Sequence, residues 1–223
     1  MGVDTASGSE HGDYSCFVTL DCTNKQQPLI VSTLYARLLP SEFTERIKTE
    51  AEKYKALVCV ESNSYGLSVL EGLVAQEYVH LYRRVKYDKA TNRWTENLGF
   101  HTNRATRALL ISRIQEYISR EWLIPNDETL KAEMNTFVFN KSGKAEADVG
   151  HHDDMVIATA IALVAMNQVE VIREIKKKKP PRSIKEILEF EIQTGRLYKN
   201  SKHLFEKEKP LHEERPPSLD GAL

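Results

Sequence analysis

The chain predicts an α/β fold, a mixed central β-sheet flanked by helices, and three observations carry that prediction. Two β-rich runs, residues 14–23 and 28–36, follow a short first strand ending at Asp4 and read as an antiparallel meander. Ala56-Leu57-Val58-Cys59-Val60 is an unbroken apolar run closed by Glu61, the pattern of a strand buried on both faces. Residues 155–166 are apolar except for Thr159, so the last long helix has little solvent face.

Taken in order, Met1-Gly2-Val3-Asp4 forms the first strand, and Cys16, Val18, Leu20 and Cys22 share one side of the second. The third strand draws on Leu29, Ile30, Val31, Leu34 and Tyr35. Pro40 suits a first helical turn, and Phe43, Ile47, Ala51 and Tyr54 fall on one face of a helix reaching about Lys55. This helix crosses over the surface to the buried strand. Ser62-Asn63-Ser64-Tyr65-Gly66 then turns the chain into a helix carrying Leu67, Leu70, Leu73 and Val74, with Asn63 and Gly66 read as turn residues. A strand over residues 79–87 leads into a polar loop or hairpin over 88–97.

Thr102 and Asn103 offer caps for a helix with Leu109, Leu110, Ile114, Tyr117 and Ile118 on its apolar face. Ile124-Pro125-Asn126 is a stop, residues 127–137 form another helix, and a polar loop over 140–148 leads to the last one. Lys176-Lys177-Lys178-Lys179-Pro180-Pro181 then changes the pattern, followed by a short helix around residues 184–190 and a charged end with Pro210, Pro216 and Pro217. The expected organisation is one domain over residues 1–175 and a partly flexible tail over 176–223.

Composition narrows the function classes. Hydrophobic residues at 41% and charged residues at 28% suit a soluble globular protein. The formal net charge is -1, and residues 176–223 hold twelve Lys or Arg against eight Asp or Glu, so the remainder is acidic. Total charge does not draw this chain to a polyanion; nucleic-acid binding requires local basic patches. Cys16, Cys22 and Cys59 form no Cys-x-x-Cys pair, which leaves them packing roles. The longest apolar run is too short to span a bilayer and the start is not a signal peptide, so the expected location is cytoplasmic.

The concentrated chemistry is His151-His152-Asp153-Asp154, fixed to the start of the apolar helix. Either Asp could simply cap that helix. Two acids beside two histidines, with no balancing charge on the helix that follows, favour a metal or catalytic site. His151 and Asp154 are three apart, which on a helix puts them on one face. Further carboxylates stand at telling places, Asp4 ending the first strand and Glu61 ending the buried one. Two Mg²⁺ ions about 3.5–4 Å apart require such hard oxygen ligands, at least one of them shared, to cleave a phosphodiester.

Gly2-Val3-Asp4-Thr5-Ala6, Val60-Glu61-Ser62-Asn63-x-x-Gly66, Gly99-Phe100-x-Thr102-Asn103 and Gly150-His151-His152-Asp153-Asp154-Met155-Val156-x-Ala158 together resemble the nuclease domain of the large terminase subunit of tailed bacteriophages. The resemblance covers about residues 1–172. It implies an RNase H-like fold of the RuvC type and metal-dependent cleavage of concatemeric double-stranded DNA during genome packaging, with two Mg²⁺ or Mn²⁺ ions. Asp4 would bridge both ions, Glu61 would hold the second, and Asp154 would be the ligand from the last helix, with His151 or Asp153 auxiliary. Arg83, Arg84 and Lys86, with Lys89 and Arg93, would form a basic DNA-binding rim if the strand over 79–87 neighbours Glu61; the alternative is a charged hairpin that is simply solvated. Arg104 and Arg107 could reach DNA or cap carbonyls, and His152 keeps a bland role.

The implied partners are double-stranded DNA, a terminase ATPase domain, the portal and the small terminase, acting in the host cytoplasm at the procapsid portal. No phosphate-binding loop occurs, since Ser142-Gly143-Lys144-Ala145 lacks the first glycine and the hydroxyl. The expectation is therefore a nuclease domain alone, monomeric, beginning at an added Met1 and without motor activity. The alternatives are a RuvC-like junction-resolving nuclease and a non-catalytic module that docks DNA or the portal. An actin-like ATP site would need further glycine-rich phosphate loops that the sequence lacks.

Overall fold

Residue parity along four strands decides which side chains meet which helices. The computed structural model of the chain describes residues 1–10, 12–88, 92–140 and 145–177. Strands β1 (Gly2–Asp4), β2 (Ser15–Asp21), β3 (Leu29–Ala36) and β4 (Cys59–Val60) form a sheet in the order β3-β2-β1-β4. β2 runs antiparallel to both β1 and β3, completing the predicted meander, whereas β4 is parallel to β1 and makes the sheet mixed. Beyond β4, isolated bridges join Val58 to Leu81 and Glu61 to Phe100.

One face of the sheet carries Val3, Phe17, Val58 and Val60 against helices α1 (Pro40–Tyr54) and α2 (Gly66–Ala75), whose Phe43, Ile47, Val69, Leu70 and Leu73 complete that core. The other face carries Cys16, Val18 and Cys59 against α3 (Arg104–Ser119), α4 (Glu128–Asn135) and α5 (Asp154–Lys177). Met155, Ile157, Ile161 and Leu163 of α5 are almost fully buried, each contributing about 1.5–3 kcal/mol of burial free energy. Thr159, the one polar side chain in that run, donates to the Met155 carbonyl at 2.7 Å and so leaves no unpaired hydroxyl in the core. All three cysteines are free and buried. Among the described residues no helix is long and apolar enough to cross a membrane.

Several local readings change. Leu67 and Val74 are exposed, and Val69 takes the buried position on α2, because the face that meets α1 is rotated from the one the leucine spacing suggested. Tyr54 and Leu109 are likewise exposed. Of the two alternatives for the polar stretch after Asp88, the hairpin holds, with β5 (Arg83–Asp88) and β6 (Arg93–Leu98) antiparallel. The helix expected over 127–137 stops at Asn135. Phe137–Phe139 becomes strand β7, paired with β8 (Ala145–Ala147) inside what read as a polar loop. A short apolar run fits either period, and cross-strand pairing decides it here. The expected tail, including the short helix around 184–190, lies outside the described residues, as does Lys89; Lys176 and Lys177 contribute only backbone to α5.

Candidate active site

Gly2 faces α5, so Asp4, two residues on, points to the same face; Glu61 shares parity with Cys59 and also points there. Asp4 pairs in register with Cys16 on β2, and the Glu61 N–H donates to the Val3 carbonyl at 2.9 Å, fixing the two carboxylates at the carboxyl ends of adjacent parallel strands. Gly2 permits the approach of α5, because a Cβ there would lie 2.1 Å from the Ala158 carbonyl oxygen and 2.4 Å from the Ala162 nitrogen. Since α5 runs back past β1, this contact sets its first residue, Asp154, near Asp4 and Glu61. Gly66 does similar work at the start of α2, where a Cβ would fall 1.7 Å from the Glu61 carbonyl oxygen.

The electrostatics are those of acids crowded without a cation. Asp4 keeps a little exposure at the sheet edge but is enclosed on most sides, and its carboxyl is held well above the usual range. Desolvation is the largest cause, followed by the like charge of Glu61, with which it also shares a hydrogen bond, then by Asp154 and Asp153. Asp154 is pushed up to about 6, again chiefly by burial, against which the Tyr14 N–H donates to its Oδ2 at 3.2 Å. No ion pair to Asp4 or Glu61 occurs among the described residues. Nor do any three or more His, Cys, Asp or Glu side chains among the described residues lie close enough together to hold a metal ion as they stand. The arrangement is an apposed carboxylate pair with a third carboxylate in electrostatic reach.

The residues around Asp154 divide differently from the sequence reading. Because α5 begins at Asp154, residues 151–153 precede the helix and the three-residue spacing does not put His151 on its face. His151 is exposed, and its side chain makes none of the described contacts. His152 is the histidine turned toward the acids, with Nδ1 3.8 Å from Asp154 Oδ2 and 3.5 Å from Asp13 Oδ1. Asp153 is occupied by Arg107 of α3, whose Nη2 donates to its Oδ2 at 2.5 Å while Nε donates to the Ala145 carbonyl. Asn63 does more than turn the chain: its amide donates to Glu61 Oε1 at 3.4 Å and to the Thr102 carbonyl at 2.8 Å, orienting the carboxylate.

Glu133 escaped the sequence reading. Almost fully buried on α4, it accepts the Val156 N–H at 3.1 Å on Oε2 and so caps the start of α5 from a neighbouring helix. An acid three residues after Leu130, on an apolar helix face, was the signal available. Its carboxyl is raised from 4.5 to about 7, burial being the main cause. The folded chain therefore holds this proton more tightly than the unfolded one: its contribution to stability is full below about 4.5 and is lost as pH rises through about 7. In EDTA, the melting temperature is expected to fall between about pH 5 and about pH 8, and Glu133→Gln, neutral throughout, to make that fall shallower. An equal slope in both proteins by scanning calorimetry contradicts it.

The basic candidates lie in three places. Arg83 is tied to α5, its N–H donating to Gln168 Oε1 at 3.0 Å; fourteen residues of helix put that contact ~21 Å along the axis from Asp154. Phe100, not the strand over 79–87, bridges to Glu61, and the base of the hairpin, Arg83 paired with Leu98, adjoins that bridge, because the Gly99 N–H donates to the Tyr82 carbonyl and the Phe100 N–H to the Val60 carbonyl. Arg84 follows in β5, half-buried, and the Lys86 side chain lies outside the described residues. Arg104 is exposed at the first position of α3, two residues past the Thr102 that holds Asn63 and one turn before the Arg107 that pairs with Asp153.

A family model described as the terminase RNase H-like domain matches residues 1–166. No curated protein matches the chain. Among solved structures, the fold is similar to the crystal structure of the large terminase nuclease from thermophilic phage G20c with bound magnesium. That similarity has 23% identity and a TM-score of 0.55, over 73% of this chain and 78% of the other.

Proposed function

The chain belongs to the terminase RNase H-like domain family, and from that premise we propose that it is a divalent-metal-dependent endonuclease hydrolysing phosphodiester bonds of concatemeric double-stranded viral DNA during packaging. The observation that carries this reading is the electrostatic proximity of Asp4, Glu61 and Asp154, at the carboxyl ends of β1 and β4 and the start of α5, with no ion pair to Asp4 or Glu61 among the described residues. Such a pair is costly unless a cation neutralises it. Hard carboxylate oxygens suit Mg²⁺ or Mn²⁺, and the magnesium bound to the similar phage G20c nuclease supports a divalent ion here. Two such ions, when bound, supply an activated water and charge stabilisation at the leaving oxygen.

This chain's residues supply the rest. Asp4, Glu61 and Asp154 would hold the ions, with Asp4 as the central ligand, and Asn63 keeps Glu61 turned inward. Arg107 balances Asp153, which acts from behind the ligands. Arg104 and the basic hairpin of Arg83, Arg84 and Lys86 hold DNA phosphates, and the salt dependence of binding follows from them. The working partners are duplex DNA, a terminase ATPase domain, the portal and the small terminase, with cutting at the portal in the host cytoplasm and the isolated domain a monomer.

Nicking of supercoiled plasmid in Mg²⁺, Mn²⁺, Ca²⁺ and EDTA tests the reading. Cleavage is expected with Mg²⁺ or Mn²⁺ and none in EDTA. Asp154→Ala is expected to lose more than the roughly 10–100-fold typical of groups that only orient a ligand. Nicking that persists in EDTA, or an Asp154→Ala protein working at the wild-type rate, sinks it.

A further inference from the structure

On the β2–β3 side of the same sheet edge, two rings and a guanidinium are stacked. The Tyr14 and Tyr35 rings lie face to face, with centroids 4.2 Å apart and planes at 18°. Arg37 Cζ sits 4.1 Å above the Tyr14 ring, and Arg37 Nε donates to the Gly12 carbonyl at 3.1 Å. Tyr14 is joined to the acids, since its N–H holds Asp154 Oδ2 and its ring meets His152 edge-on at 5.4 Å. Stacking fixes the plane of the guanidinium, and the bond to Gly12 uses only Nε, leaving the N–H groups of both terminal nitrogens. Arg37 is exposed and forms no ion pair with a carboxylate among the described residues.

A polyanion approaching this edge meets several carboxylates, so cations beside them decide whether a phosphate can be held. Arg107 is committed to Asp153, and the hairpin contact of Arg83 is ~21 Å along α5 from Asp154. We propose that Arg37, pre-set by the Tyr14–Tyr35 stack, binds a backbone phosphate of the DNA strand on the Asp154 flank of the acids. The inference rests on the nuclease reading for the identity of the ligand. The bland alternative is that Arg37 merely braces Tyr14 and the Gly12 turn.

The two roles part in the salt dependence of binding. In an Asp4→Asn background, which binds without cutting, duplex affinity is measured by fluorescence anisotropy across a salt series. Arg37→Gln is expected to reduce the slope of log affinity against log salt by about 0.9, the loss of one phosphate contact, while Arg37→Lys keeps the slope. An unchanged slope in Arg37→Gln, an equal loss in both variants, or a parent protein that binds no duplex overturns the proposal. A protein that binds with the expected slopes but never nicks plasmid counts against the nuclease reading and leaves the phosphate contact standing.

Discussion

Asp4→Asn is expected to yield a protein that no longer nicks plasmid yet unfolds at a higher temperature than the wild type when both are stripped of divalent ions. The two effects share one cause. Asp4 is desolvated and faces Glu61, so folding pushes its carboxyl well above the ordinary range and the folded state carries that cost at neutral pH. Asparagine fills nearly the same volume, carries no charge, and can donate to a Glu61 oxygen. The variant therefore loses a desolvated charge and a like-charge repulsion at once, and its melting temperature in EDTA is expected to lie above that of the wild type.

The same change removes the ligand proposed to be shared, and a loss of about a thousandfold or more, roughly 4 kcal/mol of transition-state stabilisation, is expected. Saturating Mg²⁺ or Mn²⁺ reverses the stability order, because a bound ion stabilises the wild-type fold by mass action and finds no full site in the variant. Melting curves in EDTA and across a metal titration read both halves. An Asp4→Asn protein less stable than wild type in EDTA would show that the acid pair is a source of stability and not a strain held for catalysis.

Gly2→Val acts on the scaffold and has the second large effect. Its Cβ would fall 2.1 Å from the Ala158 carbonyl oxygen and 2.4 Å from the Ala162 nitrogen, and both are helix backbone that cannot rotate aside. Either α5 lifts from β1 or the first strand is pushed out of register. The expected destabilisation is about 3 kcal/mol or more, the upper range for overpacking. Molecules that remain folded carry Asp154 displaced from Asp4, and a misplacement of about 1 Å costs on the order of a hundredfold in rate. Val149→Ala is the control, since that side chain is 96% exposed and its loss stays within about 0.5 kcal/mol. Equal denaturant midpoints for Gly2→Val and wild type contradict the packing account.

What the sequence made legible was what local pattern determines. The alternation at Cys16, Val18 and Leu20 and the apolar run before Glu61 specified strands, and parity then put Asp4 and Glu61 on one face. Lost from view was whatever tertiary contact decides. Phe137–Phe139 reads equally as the end of a helix until β8 pairs with it. Phe100, 39 residues away in sequence, became the neighbour of Glu61 because the hairpin loops out and back. The spacing of His151 and Asp154 suggested a shared face only on the premise that the helix began earlier than it does. Glu133, Tyr14 and Arg37 reach the site from three other elements, and only Glu133 left a trace, as an acid on an apolar face.

The contact of α5 with β1 also has a consequence in time. A ribosome delivers Asp4 first and Glu61 soon after, but Asp154 and the helix that seats it emerge last among the described elements. A nascent or truncated chain ending before residue 154 holds only two of the three proposed ligands and leaves the α5-facing side of its sheet without that cover. The proposed cutting centre is thus completed by the last of the described helices, and a half-made copy is expected to be blunt by its order of synthesis.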